Sequence, residues 1–348
     1  MWDASKCDLC GDCLVSCRYV DYDKDRAVSE MRLLMDGKAA DILNSCITCN
    51  ACLEICPTGA DPANLIFKMQ EKVGNNPIAE TYKPLLQELA KVIEEGNGDS
   101  QLIEGDPDRP VLSLDSFEFK QFPEGTLDSR LFKGMTVVRG MQYMSLVGLV
   151  HMGGESFAEK YAQKVINRLA DLGKDIVYMH NEGYILADIK AKEFDIDVPY
   201  RYMHLFEYLL GYLKENKASI IGLDKKVAYQ PNCATRWLPK QNEWLDEIFD
   251  LIGVERVQRE YQGQNALCCT GPIISTNKDL AIEIQGDNVK DAINFGADAL
   301  VTICPICDFV MRRPTSKFGL PKIFITDLCR MALGELQWPA KIEGSTEK

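Results

Sequence analysis

The sequence predicts a mixed chain, α+β at its start and α/β beyond: a small helical domain held by cysteines, then two strand-helix units related by a pseudo-twofold. Two observations carry this. Two cysteine runs of identical spacing lie at 7–17 and 46–56, and after residue 132 a pattern of amphipathic helix, glycine and short apolar strand occurs twice. Alternation of that kind argues for α/β units with buried parallel strands. At 348 residues the chain is long enough for more than one core.

Cys7, Cys10, Cys13 and Cys17 form Cys-x2-Cys-x2-Cys-x3-Cys, and Cys46, Cys49, Cys52 and Cys56 repeat it, with Pro57 after the last. This is the spacing of a bacterial two-cluster ferredoxin, in which the fourth cysteine of each run ligates the other cluster. The pattern therefore assigns Cys7, Cys10, Cys13 and Cys56 to one 4Fe-4S cubane, and Cys46, Cys49, Cys52 and Cys17 to a second. Zinc is the competing occupant, but zinc motifs seldom repeat a four-thiol spacing. Arg18 stands where the pattern has proline, which removes a backbone constraint and no ligand. Between the runs, Ala27, Met31, Leu34 and Met35 recur at helical spacing, Gly37 breaks the run and 39–43 starts a second short helix. Helices are also expected over 64–72 and 77–95, closing a ferredoxin-like domain at 1–93.

Residues 94–132, rich in Gly, Asp, Pro and Ser, are expected to be a linker. The halves that follow span 133–222 and 223–340. Val177-Tyr178-Met179-His180 matches Val301-Thr302-Ile303-Cys304, and 199–203 matches 321–325. At the front, Thr136-Val137-Val138 before Met141 is matched to Val227-Ala228-Tyr229 before Cys233. The first half has no cysteine: Met141, His180 and Gly183 stand at the Cys233, Cys304 and Cys307 positions, and the segment bearing Cys268-Cys269 has no counterpart. His180 is a residual ligand, a proton donor or a structural residue; His204 reads as a cap or core histidine, and His151 has no assigned place.

Cys233, Cys268, Cys269, Cys304 and Cys307 sit where strands end and helices begin, the edge at which open α/β sheets bind ligands. Thirty-four residues separate Cys233 from Cys268, and thirty-four separate Cys269 from Cys304. Five thiols exceed the four that zinc takes, which favours one iron-sulfur group. A thioredoxin-like dithiol at Cys304 and Cys307 is the alternative. Gly271-Pro272 relieves crowding around the vicinal pair, and Cys329 reads as a buried free thiol.

A formal net charge of −13 argues against nucleic acid as a partner. Cys7 follows Met1 closely, with no export leader expected, so the fourteen cysteines suit cytoplasmic metal binding. No stretch approaches the length of a transmembrane helix. No Gly-x-Gly-x-x-Gly fingerprint is found, which places any flavin on another subunit.

The second half resembles the cysteine-rich CCG domain of the heterodisulfide reductase B subunit, and the first domain resembles the C subunit in spacing and helical insert. Together they resemble a C-B fusion, the arrangement of the D subunit of membrane-linked heterodisulfide reductases. The resemblance implies that Cys233, Cys268, Cys269, Cys304 and Cys307 bind a non-cubane 4Fe-4S cluster. It further implies an electron-transfer subunit partnered by a flavoprotein or other redox subunit. Two alternatives stand beside it: a disulfide or thiol oxidoreductase acting at the CCG cluster, and the iron-sulfur subunit of a quinone-linked hydroxy-acid or glycerol 3-phosphate dehydrogenase. Thr270 replaces a glycine usual in the family, and the first half lacks a CCG site. Since the B subunit cleaves its disulfide between two such clusters, that missing site puts disulfide cleavage by this mechanism in doubt.

Overall fold

A computed structural model describes residues 1–74, 77–96 and 98–340; of the expected linker, Asn97 lies outside the described residues. In the N-terminal part, the expected inserted pair forms as the helices Lys24–Met35 and Ile42–Ser45. Asp23 starts the first by accepting from the Arg26 amide at 2.8 Å. Ala27, Met31 and Leu34 are buried, Met35 is exposed, and Gly37 turns the chain at φ +70°. A longer helix runs Pro62–Val73, with Asp61 capping the Asn64 amide and proline in the first turn. The helix Pro77–Glu95 departs from the expected grouping, since Leu89 and Ile93 are buried in one core with Leu146, Val150, Tyr161 and Val165.

Among the described residues, nine strands form two sheets. The first comprises β1 (Gln101–Ile103), β2 (Val111–Ser113), β3 (Thr136–Arg139), β4 (Ile176–Tyr178) and β5 (Tyr202–His204), in the order β1-β3-β2-β4-β5. Only β1 is antiparallel to its neighbour. The second comprises β6 (Lys225–Gln230), β7 (Val254–Arg256), β8 (Ala299–Thr302) and β9 (Lys322–Phe324), in the order β7-β6-β8-β9, all parallel. Leu112 and Val177 from one sheet share a core with Val227, Val301 and Ile323 from the other.

Two expectations change here. The stretch expected to be a linker supplies β1 and β2, and β2 is the central strand of its sheet. Val111 and Leu112 are fully buried, so the segment is held by burial that its polar flanks conceal. The front-strand match also shifts. β2 lies beside β4 as β6 lies beside β8, so β2, not β3, occupies the place of β6. Ser116 therefore stands three residues past its strand, as Cys233 does, and the loop after β3 takes the place of the loop bearing the vicinal pair.

Candidate metal centre

Each N-terminal cysteine run turns by the same device. Leu9 and Gly11 in the first, and Thr48 and Asn50 at the same offsets in the second, adopt left-handed backbone with φ between 58° and 75°. These turns curl three cysteines around one point, and only glycine adopts them without strain. None of the fourteen cysteines is in a disulfide. The thiol of Cys13 is pushed up to about 12 by burial and then by Cys10, Cys56 and Cys7. Burial and then Cys49 push Cys46 up, with Cys17 adding to it, and burial, Cys46 and Cys49 do the same to Cys52. Cys56 is thus among the groups acting on Cys13 of the first run, and Cys17 among those acting on Cys46 of the second.

Thiols crowded together and out of water resist ionisation unless a cation neutralises them, so both sets suit a metal that deprotonates its ligands. Cys13, Cys17, Cys46, Cys49 and Cys52 border a cavity of about 190 Å³. The Thr48 amide donates to Cys46 Sγ and the Ala60 amide to Cys56 Sγ, each at 3.4 Å.

The five later cysteines come from three loops, after β6, β7 and β8. Asn232 accepts from the Thr235 amide and sets the turn that presents Cys233. Cys304 is the N-cap of the helix Pro305–Lys317, with proline at its first position, and Cys307 lies in its first turn. Cys268 and Cys269 follow β7 on a loop that reverses at Thr270, φ +68°. A glycine would adopt that angle more easily. Threonine is retained by its hydroxyl, which donates to the Cys269 carbonyl at 2.6 Å and accepts from Gln285 Nε2 at 2.8 Å. Gly271 acts as expected, since a Cβ there would meet Ile306 Cγ2 at 2.6 Å and Cys269 Sγ at 3.7 Å.

All five border one cavity of about 210 Å³. The neighbouring Cys268 and then Cys307, against the effect of burial, hold Cys269 well below its ordinary value. Burial works against the charge of Cys304, but the Cys307 thiol and His180 outweigh it and hold Cys304 low. Cys233 is pushed up by burial, then by Glu182, Cys269 and Cys304. The donor set is all sulfur, closely packed and largely buried, and it fits an iron-sulfur group better than an isolated dithiol.

The opposite wall belongs to the first unit, through Asp115, Phe117, Met144, His151 and Glu182. His180 Nε2 lies 3.2 Å from Cys304 Sγ. Although burial disfavours its charge, Cys304 and Glu182 raise His180 to about 10. His151, unplaced by sequence, has Nε2 3.6 Å from Cys233 Sγ and 3.5 Å from Glu182 Oε1. His204 caps the helix Leu205–Glu215 as expected, accepting from the Phe206 amide at 3.0 Å. Met141 does not border this cavity, and at Gly183 a Cβ would meet Tyr178 Cδ1 at 2.3 Å, so no thiol fits there. Cys329 is buried in the helix Ile325–Ala332, away from the five.

The second N-terminal set abuts this cavity. The Cys268 amide donates to Tyr19 Oη at 3.4 Å, and Asn50 Nδ2 donates to the Cys233 carbonyl at 3.2 Å. Buried Arg236 ion-pairs with Glu54 and donates to the Ala266 carbonyl at 2.9 Å. Arg18, in the place of the proline, stacks over Tyr261 at 4.8 Å and lies 3.7 Å from Glu260. None of these contacts has a local signal in sequence.

Residues 6–60 match the model of a 4Fe-4S dicluster domain, and residues 227–312 match that of a cysteine-rich domain of CCG type. Over 115 residues the chain is 28% identical to the D subunit of the dihydromethanophenazine:CoB–CoM heterodisulfide reductase of Methanosarcina acetivorans. That match covers 32% of this chain and 28% of the relative, less than a third of its length. A hypothetical protein from Helicobacter pylori shares the fold over 90% of this chain and 66% of its own, at a TM-score of 0.59 and 13% identity. The chain thus joins a segment matching a 4Fe-4S dicluster domain to one matching a CCG cysteine-rich domain, and a 115-residue stretch of it is similar in sequence to the D subunit of a heterodisulfide reductase.

Proposed function

We propose that this chain is the electron-transfer subunit of a heterodisulfide-reductase-like complex, passing electrons between two 4Fe-4S cubanes and a non-cubane 4Fe-4S cluster. Cys7, Cys10, Cys13 and Cys56 would hold the first cubane, and Cys46, Cys49, Cys52 and Cys17 the second. Cys233, Cys268, Cys269, Cys304 and Cys307 would hold the third group. When bound, these groups supply one-electron redox steps. The protein's part is to hold them close and dry. The bond from the Cys268 amide to the Tyr19 hydroxyl carries this reading, because it locks the vicinal-pair loop against the second N-terminal set. A flavoprotein or other redox subunit is the expected partner, in the cytoplasm. No helix among the described residues is long and apolar enough to cross a membrane. The matched strand orders support a pseudo-twofold between the two α/β units, the first degenerate.

Iron and sulfide analysis of the anaerobically purified chain, beside a Cys268→Ser/Cys269→Ser variant, tests the proposal. About twelve iron per chain, falling to about eight in the variant, is expected. About eight in both removes the third group.

Thiol or disulfide chemistry by the chain itself is the second reading. Phe117, Met144, Leu149 and Met152 give the cavity an apolar wall beside the vicinal pair, able to seat an organic substrate. Turnover of a disulfide with a reduced dye, by the chain without partners, would favour it.

A further inference from the structure

We propose that His180 and His151, spanned by Glu182, are positioning residues that donate hydrogen bonds to the sulfurs of Cys304 and Cys233 and thereby raise the reduction potential of the group those cysteines hold. The inference rests on the five-cysteine reading above and adds a role for residues outside it. His180 Nε2 is 3.2 Å from Cys304 Sγ, and His151 Nε2 is 3.6 Å from Cys233 Sγ. Glu182 stands between the rings, Oε2 3.7 Å from His180 Nδ1 and Oε1 3.5 Å from His151 Nε2. The carboxylate lies within ion-pair distance of both rings without hydrogen-bonding His180 Nδ1, sharing His151 Nε2 with Cys233, and each ring reaches a cysteine from a different loop.

The array is built into the backbone. His180 follows β4 as Cys304 follows β8, so the strand end that offers a thiolate in one unit offers a donor in the other. Gly148 makes room for the carboxylate, since a Cβ there would meet Glu182 Oε2 at 2.8 Å. Phe117 stands edge-on to the His180 ring at 5.0 Å, and Trp237 and Phe67 flank His151 at 6.0 and 6.3 Å. The histidines are 2% and 3% exposed, so water cannot replace them as donors. Asp115 also borders the cavity, and burial raises its pKa, which disfavours a second anion against the sulfurs.

Reduction adds negative charge to an iron-sulfur group, and a donor to a ligating sulfur offsets part of that charge. Donors that are buried and pre-aimed do this without reorganisation. A purely structural pair of histidines would cost stability when removed and leave the potential where it was.

The test is an EPR-monitored redox titration of the full anaerobic chain, comparing wild type with His180→Leu, His151→Leu and the donor-retaining His180→Gln and His151→Gln. Each Leu variant is expected to cut the reduced-to-oxidised ratio of the third group about tenfold at the wild-type midpoint, a shift of about 59 mV for one electron. The cubane signals stay in place, and the Gln variants recover most of the shift. Unchanged midpoints in the Leu variants, or no recovery in the Gln variants, overturn the proposal. A second measurement covers Leu variants that lose iron. In wild type labelled with 15N-histidine, weak nitrogen couplings together with exchangeable-proton couplings are expected, whereas a strong coupling of a directly bound imidazole, or none, overturns it. Failure of the parent reading is seen separately and first, as about eight iron in wild type, and removes this proposal with it.

Discussion

Replacing Arg236 by methionine should loosen the docking of the N-terminal domain on the second α/β unit. Methionine keeps the aliphatic stem and removes the guanidinium. The Arg236 side chain is 6% exposed and Glu54 20%, so the ion pair has little water to fall back on. Breaking a buried pair by removing one partner costs about 3–5 kcal/mol. The residual exposure of Glu54 lowers this, while the Ala266 carbonyl, left without its donor at 2.9 Å, adds about 1 kcal/mol. A loss of about 3–4 kcal/mol results. Glu54→Gln keeps an acceptor but leaves the buried guanidinium without its counter-charge, and should cost about 2–3 kcal/mol. Anaerobic urea denaturation of the whole loaded chain, followed by tryptophan fluorescence, measures both, and the double variant closes the cycle. A loss below about 1 kcal/mol for Arg236→Met, or additive losses in the double variant, would refute this account of the interface.

Glycines at two strand-end loops should respond differently. Gly183→Ala drives a Cβ to 2.3 Å from the buried Tyr178 ring and should cost about 2–3 kcal/mol, whereas Gly271→Ala crowds the exposed Ile306, with Cys269 Sγ at ordinary contact distance, and should cost about 1 kcal/mol with iron retained. Thermal denaturation with iron analysis separates them. Burial, and then the charge of His180, lower the pKa of His204 from 6.5 to about 3. Because the folded value lies below the unfolded one, acid protonates the unfolded chain first. This residue's contribution is whole above pH ~6.5 and shrinks towards pH 3, a loss of about 2 kcal/mol at pH 5. Urea midpoints at pH 7 and pH 5 should show a smaller difference in His204→Gln. Cys329→Ala should cost about 1–2 kcal/mol and leave the iron content unchanged, since the thiol is buried in a different core from Cys269, Cys304 and Cys307 and does not border their cavity.

The cysteine sets were legible because the spacing of ligands along a chain is itself the geometric constraint. Cys7 to Cys17 and Cys46 to Cys56 repeat one interval, and the turns at Leu9, Gly11, Thr48 and Asn50 realise it. β1 and β2 were not legible: three residues are too few for a period to show, and glycine, proline and aspartate surround them. Val111-Leu112, bracketed by Pro110 and Asp115, was the only local hint. With β2 beside β4, it is Ser116 and not Met141 that stands three residues past the strand, the offset of Cys233 from β6. His151, Glu182, Tyr19 and Arg236 act through partners far off in the chain, and Glu54 and Arg236 are 182 residues apart. Spacing carries no record of such contacts.

The bond between Tyr19 and the Cys268 amide also orders events during synthesis. Its two ends are 249 residues apart, so the ribosome delivers the second about 12–50 s after the first at ~5–20 residues per second. For that interval the N-terminal cysteines lack the wall that later covers them. Iron can be loaded there without crossing a finished interface, but oxygen has the same access. The loop carrying Cys268 and Cys269 then closes on a surface already in place, making the N-terminal domain the template on which the last site is assembled.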